Sequence, residues 1–212
     1  MAVATMASKI GSNALGSIPQ FDLGRPDVDV LARAPDYTDQ VRFDKYSLLV
    51  KDQRFFLHSG EFHTFRLPVP DLWLDILEKF KAAGLNSVSV YIHMGLINPS
   101  RGVVDFEGYR GLQPLYDAAK EAGITIVLRP GPVRTPTILY INAETTAGGV
   151  PHWTTTELAG EIRTNASDWR DAWQDYIDGI IERTRDNQIT EGGPVIAVQI
   201  GRFLSARDNP SF

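Results

Sequence analysis

The sequence predicts an α/β fold built on a parallel sheet. Residues 87–92, 124–128 and 195–200 form short, continuous apolar runs rich in β-branched side chains, as strands buried on both faces do. Between these runs, apolar side chains recur at the helical period, and glycine follows two of the helical segments. Strands that alternate with helices in this way are typical of a parallel sheet covered by helices.

The first elements follow one another in a regular order. Residues 41–50 and 54–59 are predicted to be two short strands joined by a turn at residues 51–52. A helix over residues 71–83 comes next, and Gly84 ends it as a C-cap residue. The apolar stripe of this helix consists of Leu72, Trp73, Ile76, Leu77 and Phe80.

The same alternation continues after the first buried strand. A helix over residues 112–122 ends at Gly123 and leads into the next strand. A long loop over residues 131–164 separates that strand from a third helix, which either Asn165 or Ser167 would cap. One face of the third helix is expected to be buried, formed by Trp169, Trp173, Ile177, Ile181 and Thr184.

The composition bounds what the protein does. Its 212 residues, 43% hydrophobic and 22% charged, suit one globular domain or slightly more. A net charge of -5 argues against a nucleic-acid binder, which normally has a basic face. The absence of cysteine excludes disulfides, zinc–thiolate sites and thiol nucleophiles. No apolar run approaches about eighteen residues, so no membrane-spanning helix is expected.

Residues 1–40 are expected to form a flexible leader rather than a secretion signal. Lys9 follows the first apolar residues, whereas a signal peptide begins with its basic residues. The localisation stays open, although Asn165-Ala166-Ser167 would accept a glycan on an exported chain. The four histidines form no i, i+4 pair on a helix, so neither a metal site nor a cofactor is expected.

Two parallel architectures fit the alternation, a doubly wound sheet and a (β/α)8 barrel. A nucleotide-binding doubly wound sheet places a glycine-rich turn after its first strand, whereas residues 60–63 read Gly-Glu-Phe-His. Polar side chains stand at the strand ends, where barrel enzymes keep their chemistry: Glu61, His63, Tyr91, Arg129 and Gln199. The favoured fold class is a partial (β/α)8 TIM barrel, truncated after about its first four βα units.

Several separate motifs resemble one family in the right order. They are residues 59–63 (SGEFH), 65–73 (FRLPVPDLW), 83–91 (AGLNSVSVY), 128–132 (LRPGP), 140–144 (YINAE) and 192–196 (GGPVI). Together they resemble the barrel of glycoside hydrolase family 35, and more narrowly its fungal β-galactosidases. The resemblance covers about residues 41–200, which it assigns to the first half of a glycosidase TIM barrel.

The resemblance implies retaining hydrolysis of terminal β-galactosides. Two carboxyl groups about 5–5.5 Å apart would perform it, one protonating the leaving oxygen and the other attacking the anomeric carbon. By the same resemblance, the residues that bind the β-galactoside would be Tyr91, Asn142, Ala143 and Glu144. Carboxylate and amide groups suit a sugar because its hydroxyls both donate and accept hydrogen bonds.

Departures from the family pattern put the catalysis in doubt. The fourth strand of the family continues as Gln-x-Glu-Asn-Glu, whose last Glu is the acid/base, and here Phe203 holds that position. The nucleophile belongs to a later strand, expected beyond the end of this chain. Residues 133–139 interrupt a segment that the family joins directly. Ile92-His93-Met94 stands where many of the fungal enzymes carry an Asp and a Trp.

The sequence therefore predicts a truncated, inactive family member, with residues 201–212 as an atypical tail. Two alternatives stay open: a non-catalytic galactoside-binding protein, and a barrel protein that acts on another substrate. The tail is consistent with translated non-coding sequence, with gene decay and with a genuine short protein. Exposed barrel edges and inner faces are expected to cause self-association.

Overall fold

The chain has the predicted α/β fold on a parallel sheet. The computed structural model describes residues 40–131, 143–158 and 166–199. The strands of these residues are β1 (Val41–Phe43), β2 (Leu48–Val50), β3 (Gln53–Phe55), β4 (Ser59–Glu61), β5 (Ser87–Tyr91), β6 (Thr125–Arg129) and β7 (Val195–Val198). β1, β2 and β3 form an antiparallel sheet, whereas β4 to β7 pair in chain order and in parallel.

Helices cover one face of the parallel sheet. Those of the described residues are α1 (Trp73–Ala82), α2 (Met94–Ile97), α3 (Gln113–Ala122), α4 (Trp153–Thr156) and α5 (Ser167–Arg185). Trp73 of α1, Leu115 of α3 and Tyr176 of α5 share one apolar core with Val88 and Ile126 of the sheet. None of the described helices is long and apolar enough to cross a membrane.

Several predicted turns are confirmed by backbone angles. Lys51 and Asp52, between β2 and β3, have φ angles of 49° and 64°. Two such left-handed residues give the turn that matches the twist of a hairpin. Gly123 ends α3 with a φ of 65°, which glycine adopts without steric cost.

The helix ends differ from the prediction in two details. Residues Pro70–Leu72 form a 3-10 turn, so Leu72 precedes α1 and is 47% exposed. α5 begins at Ser167, and Ala166 occupies its cap position without a side-chain hydrogen bond. Ser167 therefore belongs to the helix instead of capping it, and the other predicted cap, Asn165, lies outside the described residues.

The buried stripes are also shifted relative to the sequence pattern. Trp73 and Leu77 are fully buried in α1, at the centre of the predicted stripe. In α5 the buried residues are Trp169, Tyr176, Ile180 and Thr184. Ile181, expected on that face, is only partly buried, because Ile180 takes the core position.

The antiparallel sheet covers apolar residues on the second face of the parallel sheet. Val41 of β1 packs with Val127 of β6 and with Ile196 and Ala197 of β7. Leu48, Phe55 and Leu57 complete this smaller core. The sequence predicts exposed inner faces, whereas Val127, Ile196 and Ala197 are buried. Within the described residues, β4 has β5 as its only strand partner and β7 has β6, and a single bridge of Gln188 to Val195 covers the start of the outer edge of β7.

A buried phenol connects α5 to the ends of two strands. The Tyr176 hydroxyl lies 3.0 Å from the carbonyl oxygen of Ile92 and 2.7 Å from that of Pro130. Ile92 directly follows β5 and Pro130 directly follows β6. The helix therefore holds both strands just beyond their carboxyl ends.

Candidate functional site

The carboxyl ends of the parallel strands bring the predicted polar side chains together. Glu61 ends β4, Tyr91 ends β5, Arg129 ends β6, and Gln199 directly follows β7. Arg129 Nη1 donates to Glu61 Oε1 at 2.6 Å. The Arg129 guanidinium carbon lies 3.9 Å from the centre of the Tyr91 ring, a cation–π contact. Arg129 therefore links the ends of three neighbouring strands.

His63 lies beside this ion pair. The Tyr91 backbone N–H donates to His63 Nδ1 at 3.2 Å, so the proton of the neutral ring resides on Nε2. That Nε2 lies 3.6 Å from Glu61 Oε2. Burial lowers the pKa of His63, because the charged imidazole would lose its hydration. His63 thus joins the segment after β4 to the end of β5 as an uncharged group.

Glu144 approaches the strand ends from the loop between β6 and α4. The Tyr91 hydroxyl donates to Glu144 Oε1 at 3.4 Å. Arg66 Nη2 donates to the Glu144 backbone carbonyl at 3.1 Å. Ala143, the preceding residue, is fully buried. Three of the four predicted sugar-binding residues therefore lie at this edge of the sheet.

The remaining predicted positions cannot be compared with the structure. Those that lie outside the described residues are Asn142, Phe203, residues 133–139, the sequon asparagine Asn165, the leader up to residue 39 and the tail. The roles assigned to Asn142 and Phe203 stay predictions.

A contact that no sequence pattern predicts attaches the Glu144 loop to the segment after β5. His93 Nε2 and Thr145 Oγ1 form a hydrogen bond of 3.1 Å. The Phe65 ring meets the imidazole edge-on, with 5.1 Å between the ring centres. Burial lowers the pKa of His93. His93 drew attention in the sequence as a departure from the family pattern, but nothing there pairs it with Thr145.

The site offers hydrogen-bonding groups rather than a metal centre. Among the described residues, no three His, Asp or Glu side chains come together to hold a metal ion. Gln199 Oε1 and Arg129 Nε are buried and have no hydrogen-bond partner among the described residues. Buried polar atoms normally have partners, so unpaired ones at the strand ends indicate where a polar ligand can bind. With the Glu144 carboxylate and the Tyr91 hydroxyl, they suit a ligand rich in hydroxyl groups.

Comparison with known families agrees with this chemistry. The model of the family described as "Glycosyl hydrolases family 35" matches residues 47–209, which is most of the chain. The chain belongs to glycosyl hydrolase family 35. Membership confirms the resemblance found in the motifs, and the family has a TIM-barrel fold.

Curated fungal members of family 35 are similar to the chain over most of its length. "Probable beta-galactosidase B" of Sclerotinia sclerotiorum is 42% identical over 177 residues, covering 82% of this chain and 17% of that protein. "Probable beta-galactosidase C" of Talaromyces marneffei is 44% identical over 171 residues, covering 80% and 16%. The chain spans about one sixth of the length of these curated relatives.

A solved structure is a weaker match to this chain. The crystal structure of GH5_18 from Streptomyces cattleya in complex with GlcNAc aligns with a TM-score of 0.46 and 18% identity. The alignment covers 68% of this chain and 33% of that chain. A likeness at this level supports no conclusion about the site.

Proposed function

We propose that residues 41–200 form the first half of a family 35 barrel and carry part of its β-galactoside site. Four parallel strands paired in chain order support the half barrel, because a (β/α)8 barrel begins with such units. The names of the relatives, probable β-galactosidases, supply the substrate class. The contact between the Tyr91 hydroxyl and Glu144 Oε1 carries the site assignment, because barrel active sites lie at the carboxyl ends of the strands.

The proposed binding chemistry follows from that contact. At 3.4 Å, the hydrogen bond between Tyr91 and Glu144 is long for an O–H donor and a carboxylate. A sugar hydroxyl inserted between the two groups can accept from one and donate to the other at shorter distances. The Asn142 amide and the Ala143 backbone are proposed to complete the set of donors and acceptors.

The chain as given is proposed to bind β-galactosides without hydrolysing them. Phe203, at the acid/base position by resemblance, cannot transfer a proton, and a general acid typically contributes about 10²–10⁴-fold to the rate. Glu61 is paired with Arg129, and Glu144 is proposed to contact the sugar. Neither carboxylate is therefore assigned as the nucleophile. Binding without turnover is the outcome that distinguishes the alternative, a non-catalytic galactoside-binding pseudoenzyme.

Binding of D-galactose is expected to depend on the charge of Glu144. Hydrogen bonds to charged groups contribute about 1.5–3 kcal/mol, so Glu144→Gln should weaken binding about 10- to 150-fold in isothermal titration. Glu157→Gln is the matched control, since Glu157 lies on the surface in an ion pair with Arg101 and should leave the affinity unchanged. Equal affinities of Glu144→Gln and the unaltered chain would contradict the site. Hydrolysis of a chromogenic β-galactoside that survives Glu144→Gln would contradict the proposed inactivity as well.

We also propose that the chain associates with itself through its unpaired strand edges. The outer edges of β4 and β7 have no partner strand within the described residues, and free edges can pair with other chains. Sedimentation velocity at increasing protein concentration should therefore show a rising sedimentation coefficient. A concentration-independent monomer with one cooperative melting transition would contradict this proposal.

A further inference from the structure

The segment after β5 supports the loop that carries Glu144. A Cβ atom added to Gly95 of α2 would lie 3.2 Å from the carbonyl oxygen of Gly149 and 3.5 Å from Cα of Pro151. The two backbones therefore approach each other directly, which a larger side chain at position 95 would prevent. At the other end of α2, Trp153 Nε1 donates to the Asn98 carbonyl at 3.0 Å.

The loop itself is a compact turn. The Ala143 N–H donates to the Gly148 carbonyl at 2.8 Å, and the Gly148 N–H donates to the Thr145 carbonyl at 2.9 Å. The Thr145 N–H donates back to the Ala143 carbonyl at 2.9 Å. These bonds fix the shape of the turn but not its position relative to the sheet. Its position depends on contacts with other elements.

Three polar contacts attach the Glu144 end of the turn to the rest of the described structure, and the first is the hydrogen bond of 3.4 Å from the Tyr91 hydroxyl to Glu144 Oε1. Arg66 Nη2 binds the Glu144 carbonyl in an exposed position. His93 Nε2 binds Thr145 Oγ1 in a partly buried position. A partly buried bond competes less with water than the exposed Arg66 contact, and at 3.1 Å the His93 bond is shorter than the 3.4 Å bond from Tyr91. The His93 contact is therefore the best suited of the three to hold the turn in place.

The imidazole of His93 is itself held in one orientation. The edge-on contact with Phe65 restricts rotation of the ring, and the His93 backbone is anchored because its carbonyl accepts from the Leu96 and Ile97 N–H groups at the start of α2. Thr145 is next to Glu144, and Tyr91, which contacts Glu144, is two residues before His93. The end of β5 therefore reaches the turn through two side chains, Tyr91 and His93.

We propose that His93 is a positioning residue of the β-galactoside site, whose hydrogen bond to Thr145 sets the placement of Glu144 opposite Tyr91. The proposal rests on the proposed function, because it assigns a role within that same site. His93 does not touch the sugar in this scheme and acts through the turn.

Amide hydrogen exchange of the full chain tests the placement of the turn without any sugar. His93→Leu and Thr145→Val each remove one partner of the bond, and each should speed exchange of the Ala143 and Gly148 amides about 2- to 10-fold. The double variant should be no faster than either single variant, because both break the same bond. His93→Gln, which keeps a polar group near the Nε2 position, should restore slow exchange, and the exposed His152→Gln should change nothing.

Titration with D-galactose then links the turn to binding. His93→Leu should weaken the affinity by the same 2- to 10-fold, while amide exchange in α1 and α5 stays as in the unaltered chain. Unchanged exchange of the turn in both single variants, or effects that multiply in the double variant, would overturn the role of His93. A wild-type chain that binds no galactose would instead count against the proposed function, and the exchange result would still decide the His93 contact.

Discussion

Replacing Trp73 by alanine is expected to lower the free energy of unfolding by about 3–5 kcal/mol, the range for deleting a buried large aromatic side chain. Trp73 is fully buried in the main core, where Phe62 packs edge-on against its ring. Its indole Nε1 also donates to the Leu67 carbonyl at 2.8 Å. Alanine would leave a cavity beneath α1, and the Leu67 carbonyl would keep only the hydrogen bond that it accepts from the Val69 N–H at 2.8 Å. Equilibrium urea denaturation measures the loss.

Two neighbouring substitutions give this measurement its controls. Leu72→Ala alters an apolar residue that is 47% exposed and should cost less than about 1 kcal/mol, because little surface returns to water. Trp73→Phe keeps a ring in the core but removes the hydrogen bond to Leu67. Its loss of unfolding free energy should therefore lie between those of Leu72→Ala and Trp73→Ala. Equal losses for Leu72→Ala and Trp73→Ala would show that the core does not centre on Trp73.

Replacing Gly193 by alanine is expected to lower the free energy of unfolding by about 3 kcal/mol, at the upper end for overpacking. A Cβ atom at this position would overlap the Asn187 backbone, including its carbonyl oxygen. That oxygen accepts the Val195 N–H at 3.0 Å, which helps to start β7. The backbone must therefore shift, and the shift would pass along β7 towards Gln199.

Gly192→Ala is the matched control for Gly193. Gly192 has a φ of 79° but no atom within 4 Å of the added Cβ, so its cost comes from the left-handed conformation alone. That conformation costs about 1–2 kcal/mol for a residue with a side chain. A larger loss for Gly192→Ala than for Gly193→Ala, measured by thermal denaturation, would contradict the close approach between Gly193 and Asn187.

Local sequence patterns predicted a helix or strand correctly where all the residues that determine it lie within that element. The apolar run at residues 87–92 corresponds to β5, and Gly123 ends α3 as expected. The cap of α5 was wrong because favourable capping residues stood on both sides of Ala166 and the pattern could not choose the boundary. The packing of β1 to β3 against Val127 could not be predicted from the sequence, because it depends on how the two sheets pack together.

The site was predictable only through strand ends and family motifs. Tyr91 and Arg129 end neighbouring parallel strands, which by itself places them at one edge. The contact of Tyr91 with Glu144 joins residues 53 positions apart, and that of His93 with Thr145 joins residues 52 apart. Long-range contacts of loop side chains leave no periodic signal in a sequence. The family resemblance supplied Glu144, but the substituted His93 had no family counterpart from which its partner could be inferred.

The phenol of Tyr176 makes a helix on the outside of the sheet part of the same cooperative unit as the site. Its hydroxyl lies against the carbonyls that immediately follow Tyr91 and Arg129. Opening α5 removes the phenol from both carbonyls, so the two strand ends lose this support in the same event. The free energy needed to open the site locally therefore cannot exceed the free energy needed to undock α5. This helix contributes no side chain to the proposed sugar-binding residues. Natural variation along the buried face of α5 would alter sugar binding without changing any residue proposed to touch the sugar.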